Sequence, residues 1–186
     1  MSAAYQRRLF TVSEYYAMAE FGILAPDERV ELLEGQIIAD FPIGSRHAAC
    51  VNRLHFYLAC RINRRAQIHI RNPVRLSRYS EPEPDVALLK PRDDFYAEAH
   101  PRPEDVLLII EVADTSEEAD RRLKVPLYAR SGIPEVWLVA LNKETVEVYR
   151  SPSPDGYAET SRLARGESLH VQALPDVVLT VDELLG

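Results

Sequence analysis

Residues 103–139 read PEDVLLIIEVADTSEEADRRLKVPLYARSGIPEVWLV. Two apolar runs, VLLIIEV (106–112) and PEVWLVAL (134–141), flank a segment rich in charge. Both runs are apolar at successive positions rather than alternating, the pattern of strands covered on two faces. The segment between them predicts a helix over about 116 to 131, with Gly132 placed to end it. Pro126 falls inside that span. An interior proline lacks an amide donor and costs about 3 kcal/mol, so the helix kinks or restarts near Pro126. Strand, helix, strand makes a βαβ unit, which is right-handed as a rule. One residue is out of place. Glu111 stands inside the first apolar run, and an ionised carboxylate in a low-dielectric core is costly unless something pairs with it.

Working outward, Thr11-Val-Ser-Glu14 has the capping-box pattern and opens a short helix, roughly 11 to 21. RVELLEGQIIADF (29–41) reads as two short strands around Glu34-Gly35, a hairpin signal. Residues 45 to 66 carry Val51, Leu54, Leu58 and Ile62 at helical spacing, with the arginines mostly off that stripe. His47 lies four residues before Val51 and so faces the same, inward side. QIHIRNPVRLS (67–77) reads as one or two short strands, and PDVALL (84–89) as another. DDFYAEAHPRPED (93–105) reads as a polar loop. TVEVYR and YAETSRL suggest antiparallel strands, and a final strand with a turn of helix lies in VVLTVDELLG (177–186). The fold class expected is α/β (α+β), a mixed sheet flanked by helices, in one domain over 1–186.

The chain has 186 residues, 46% of them apolar, enough for a sizeable core. Its net charge of −7 counts against a basic nucleic-acid coat protein, though not against an enzyme with local basic groups. The arginines gather in CRINRR, IRNPVRLSRY and DRRLK. The N-terminal stretch lacks an apolar signal core, and no apolar run is long enough for a membrane span. A cytoplasmic protein is the expectation. Cys50 and Cys60 lie about 280° apart around a helix, which argues against a disulfide or a joint zinc site. Both read as reduced and structural.

Four Pro-Asp pairs occur, so the dipeptide alone says little. Only Pro84-Asp85 opens a strand followed by a longer apolar strand that ends in an acid. If those strands are neighbours, Asp85 and Glu111 converge at one end of the sheet. Two anions there would repel, and one would take up a proton unless a divalent cation held both. Hard oxygen ligands with room for water favour Mg²⁺ or Mn²⁺, with the backbone carbonyl of Val112 as a further ligand. Such an ion stabilises charge on a phosphoryl oxygen and acidifies a bound water. Lys124, four residues after Asp120 and on the same helical face, is the candidate to orient that water. Each residue has a plainer reading. Asp85 could cap a turn, Arg75 could neutralise Glu111, and Lys124 could pair with Asp120 on a wet surface. His47 could be a hydrogen-bonded core histidine, and Glu31 or Glu34 an ordinary hairpin acid.

VELLEGQII, a helix carrying His47, PDVALL, LLIIEVADTS and DRRLKVPLYARSGIPEVWLV, in that order, resemble the Uma2 family of the PD-(D/E)xK nuclease superfamily. The resemblance runs from about residue 10 to the C-terminus. It implies a restriction-endonuclease-like fold and Mg²⁺-dependent hydrolysis of DNA. Asp85 matches the motif aspartate, Glu111 the motif glutamate, Glu31 the acid that precedes the core, and His47 the histidine after the hairpin. The lysine departs from the superfamily pattern, because Ala113 stands two residues after Glu111. Asp120 and Lys124 instead have the D-x-x-x-K spacing of Uma2-like sequences.

The expected function is therefore a metal-dependent DNA endonuclease. Asp85, Glu111, Glu31 and the Val112 carbonyl serve the metal, Lys124 the nucleophile and His47 the substrate or a ligand. Arg71, Arg75 and Arg78 meet phosphates, a salt-dependent and sequence-independent contact. A homodimer is expected because cutting both strands invites two sites related by two-fold symmetry. The alternative is a non-catalytic binding or regulatory protein on the same scaffold. A two-carboxylate glycoside hydrolase would need stacking aromatics near its acids, whereas the only tryptophan, Trp137, falls in an apparently buried strand.

Overall fold

The computed structural model describes residues 7–39, 42–114 and 116–186. Asp40 and Phe41, which close the expected hairpin, lie outside the described residues, as do residues 1–6 and Thr115.

Helix α1 (Val12–Glu20) begins at a capping box, in which Thr11 accepts from the Glu14 amide and Glu14 reaches back to the Thr11 amide. Strands β1 (Val30–Leu33) and β2 (Gln36–Ala39) form the hairpin, pairing antiparallel from Val30↔Ala39 to Leu33↔Gln36. Its turn places Glu34 and Gly35 at φ 48° and 76°. A Cβ at position 35 would sit 2.6 Å from the Leu9 Cβ, so that glycine answers to space as well as to φ.

Helix α2 (Ser45–Ile62) buries Cys50, Val51, Leu54, Leu58 and Ile62. It stops short of the expected residue 66 because Asn63 and Arg64 take left-handed φ of 46° and 61°, a conformation asparagine tolerates better than most residues. Cys50 is buried and Cys60 exposed, so only Cys50 is the structural cysteine expected of both.

The six-stranded sheet has the order β3-β4-β5-β6-β7-β8. Its strands are β3 (Gln67–Ile70), β4 (Val86–Leu89), β5 (Val106–Ala113), β6 (Glu135–Ala140), β7 (Thr145–Ser153) and β8 (Gly156–Ala164). Only β5 and β6 are parallel, from Ile109↔Val136 to Ala113↔Ala140, as the βαβ reading requires. Alternate residues of β5 face opposite sides. Leu108, Ile110 and Val112 join α2 in one core cluster, while Ile109 and Ala113 join Val125, Leu127 and Tyr128 in the other. Both faces are thus covered, and each fully buried leucine or isoleucine contributes about 1.5–3 kcal/mol.

Between β5 and β6 the chain runs through α3 (Glu117–Ala119), a π-helical segment (Asp120–Lys124) and α4 (Val125–Arg130). The Val125 amide donates to the Asp120 carbonyl five residues back. Pro126 falls in the first turn of α4, where its missing donor costs least. The restart near Pro126 is therefore met by a widened turn rather than a break. Gly132, at φ 78°, follows the helix end.

Strands β9 (Ser168–Val171) and β10 (Leu174–Thr180) form a second hairpin, and α5 (Val181–Leu185) closes the chain behind a Thr180 capping box. Residues 67–77, expected to hold one or two strands, hold only β3; Arg71 turns away at φ 52°. Among the described residues no helix is long and apolar enough to cross a membrane.

Candidate active site

Asp85 immediately precedes β4, and Glu111 lies in β5. The antiparallel register pairs Val86 with Ile110, so one step further sets 85 opposite 111, about 4.5–5.5 Å apart at Cβ for such a pair. Both are buried, Asp85 at 6% and Glu111 at 3% exposure. Both line a cavity of about 190 Å³ with Gly44, His47, Arg71, Glu83, Val112, Asp114, Ser116, Asp120 and Lys124.

Each oxygen of Asp85 has a partner. Oδ1 lies 2.8 Å from His47 Nε2, and Oδ2 accepts from the Val112 amide at 2.9 Å. The Arg71 guanidinium stands 3.7 Å from Oδ1. His47 thus reaches the site from the first turn of α2, on the inward side that its spacing from Val51 requires.

Glu111 shares the face of Ile109 and Ala113, by the period of two that a strand imposes. That face meets the π-helical segment and α4. Tyr128 donates its hydroxyl to Glu111 Oε1 at 2.5 Å, and Lys124 Nζ lies 3.4 Å from the same oxygen. Lys124 also stands 3.0 Å from Glu31 Oε1, delivered by β1. The other oxygen of Glu31 accepts from the Glu83 amide at 3.1 Å. The β1 hairpin is held against this segment by the Glu81 amide, which donates to the Leu32 carbonyl.

Position 113 holds alanine, and the ammonium of Lys124, from the helical segment that follows β5, stands beside Glu111. It is not the wet-surface pair with Asp120 that spacing alone allowed. Asp120 is buried, and its Oδ2 accepts from Ser116 Oγ at 2.6 Å. Arg75 does not neutralise Glu111; its Nε pairs with Glu81. Arg78 is exposed, with its guanidinium 5.3 Å over the Tyr79 ring. Of the three arginines grouped by sequence, only Arg71 lines the cavity.

The electrostatics follow from burial. Desolvation holds the Glu111 carboxyl well above the usual carboxylate range; Asp120, Asp85 and Glu31 add to the rise, and Lys124 opposes it. Burial also raises Asp120, against the pull of Lys124. For Lys124 burial alone would favour the neutral amine, but Glu111, Glu31 and Asp120 outweigh it and hold the ammonium charged. Tyr128 is raised by burial and then by Glu111, so its phenol stays a donor. Among the described residues, five carboxylates line the cavity against the cations Arg71 and Lys124.

Tyr128, Glu83, Asp114 and Ser116 were not among the residues picked out from sequence. Tyr128 carried one usable signal, its place four residues after Lys124 on the same helical face.

The family model Uma2, described as "Putative restriction endonuclease", matches residues 12–182. Among solved structures, a crystal structure described as "a putative nuclease belonging to DUF820" from Anabaena variabilis superposes with a TM-score of 0.70. It is 18% identical, and the match covers 90% of this chain and 96% of that one. At that identity the likeness speaks for the fold. No curated protein matches the chain.

Proposed function

The chain belongs to the Uma2 family, and from that premise we propose that it is a divalent-metal-dependent endonuclease hydrolysing DNA phosphodiester bonds. The observation that carries the reading is the shared cavity of Asp85 and Glu111, with the Lys124 ammonium beside Glu111.

The donor set fits a hard cation. Carboxylates outnumber positive groups around the cavity, and burial leaves Glu111 and Asp120 raised, a strain that an added cation relieves. Among the described residues no three His, Cys, Asp or Glu side chains are grouped to cage a metal. Mg²⁺ is commonly held by one or two carboxylates and keeps several waters, and Asp85 and Glu111 line one cavity. Asp85, Glu111 and the Val112 carbonyl would hold it, with Glu31 as a further ligand, directly or through a water. The bound ion would stabilise charge on a phosphoryl oxygen and acidify a water.

The chain's own groups do the rest. His47 and the Val112 amide fix both oxygens of Asp85, and Tyr128 fixes one oxygen of Glu111. Lys124, held between Glu31 and Glu111, presents its ammonium where negative charge develops, and it costs little reorganisation at that moment. Arg71 stands at the cavity wall as the phosphate contact. The whole chain acts as one domain, in the cytoplasm, as a homodimer whose two sites cut the two strands.

The alternative is a non-catalytic protein on this scaffold. Ala113 in the usual lysine position, and a lysine already paired with two carboxylates, favour it. Plasmid nicking separates the two. Cleavage with Mg²⁺ or Mn²⁺, absent in EDTA and absent in both Asp85→Ala and Glu111→Ala, is the expected result. Activity surviving either substitution would rule the site out.

A further inference from the structure

A second cavity, of about 390 Å³, lies apart from the carboxylates, lined by Tyr16, Arg75, Tyr96, Glu98, His100 and Arg102 among others. The Tyr16 and His100 rings face one another within 24° of parallel, with centroids 6.5 Å apart. Twice the rise of a stacked base, about 3.4 Å, nearly equals that separation. Two π faces inclined by 24° with this centroid separation leave room near that of a third flat ring.

The surroundings are held in place. The Arg75 guanidinium lies 5.8 Å over the Tyr16 ring, and its Nε is fixed by the buried Glu81 carboxylate. The Arg75 amide donates to the Pro101 carbonyl at 2.8 Å, tying the loop that bears His100 and Arg102. Tyr96 lines the cavity as well. Its hydroxyl donates to the Lys90 carbonyl at 2.7 Å, and Arg92 covers its ring at 4.4 Å. Tyr16 is 37% exposed, and His100 and Arg102 are exposed, so the rings and one arginine are open to solvent.

The place in the fold matters. Glu81, which anchors Arg75, is four residues before Asp85, and four extended residues span at most about 14 Å. That is about four base-stacking steps of 3.4 Å. The anchor of Arg75 and the motif aspartate thus belong to one short segment of chain, residues 81–85.

We infer that the Tyr16–His100 cavity is a nucleobase-stacking subsite that holds one base of a single-stranded or splayed DNA segment, with Arg75 and Arg102 beside its phosphate. The ligand class rests on the nuclease reading; the geometry of the two rings does not. The substrate implied is DNA with an unpaired base, because a base in an intact duplex is already stacked on both faces.

The test is binding in EDTA, where cleavage plays no part, using fluorescence anisotropy of labelled oligo(dT) and a strand of equal length with abasic sites. Tyr16→Leu and His100→Ala each weaken oligo(dT) about tenfold, the size of one lost base–aromatic stack. Tyr16→Phe keeps the ring but gives up the hydroxyl's hydrogen bond to Glu81, and it weakens oligo(dT) much less than Tyr16→Leu; the abasic strand binds Tyr16→Leu, His100→Ala and the parent alike. Circular dichroism and melting verify that the variants fold. Wild-type affinity in both folded variants would overturn the inference, as would equal loss towards the abasic strand. Thymidine monophosphate competing as well as oligo(dT) would assign the pocket to free nucleotides and overturn it too. None of these outcomes bears on whether Asp85 and Glu111 support nicking, so the two readings fail separately.

Discussion

Replacing Lys124 by methionine keeps the length of the side chain and removes its charge. The ammonium is 3.0 Å from Glu31 and 3.4 Å from Glu111, and only 12% of the lysine side chain is exposed. Without it the two carboxylates must stay charged in a poor dielectric or take up protons, and either course favours unfolding. Breaking a buried pair in this way costs about 3–5 kcal/mol. For a chain of this size each kcal/mol moves Tm by about 2–4 °C, so Lys124→Met is expected to melt roughly 6–20 °C lower. The double variant Glu31→Gln/Lys124→Met removes the stranded anion along with its partner. It should recover about 1–3 kcal/mol of the loss, within the usual range of coupling between contacting residues. Urea melts of the four proteins in the cycle measure both quantities. A Lys124→Met protein as stable as the parent, or strict additivity in the cycle, would mean that the ammonium does not sit between these acids.

Glu183 provides a pH test remote from the cavity. Hydrogen bonds from Arg61, at 2.5 and 2.9 Å, hold its carboxyl down at about 2, below its ordinary 4.5. The pair's contribution is therefore full above pH 4.5 and fades as pH falls toward 2. Discounted for solvent screening, it is about 1 kcal/mol. Glu183→Gln should be destabilised by that amount at pH 7, with the gap to the parent closing in melts below pH 4. A gap independent of pH would contradict the pairing. Thiol titration provides another test. Cys60 is exposed, whereas burial pushes the Cys50 thiol up to about 12. A disulfide reagent at pH 8 should label Cys60 quickly in the native protein and Cys50 only after unfolding; rapid labelling of both would contradict the packing of α2.

The sheet was legible because its central strands are unbroken apolar runs, and no other element accommodates VLLIIEV so readily. The side on which Lys124 stands was legible from its spacing to Asp120. Its partner Glu31 was not, since that contact joins residues far apart in sequence and depends on how the β1 hairpin folds against residues 81–83. Tyr128 was hidden for a different reason. An aromatic on the apolar face of a helix reads as core, and the phenol gains a role only when a buried acid lies within reach. The arginines of IRNPVRLSRY looked like one group. The left-handed turn at Arg71 sends them apart, one to the cavity, one to Glu81 and one to solvent. Strand β9 passed unnoticed because its four residues, SLHV, alternate too briefly to stand out from a loop.

In the proposed mechanism Asp85 and Glu111 together hold one divalent ion. Anomalous diffraction from crystals soaked in Mn²⁺ tests it most directly. A single strong peak is expected in the cavity, within coordinating distance of carboxylate oxygens from both residues and absent from Asp85→Ala crystals. A peak on one of the two acids alone, or none beside either at saturating Mn²⁺, would contradict it.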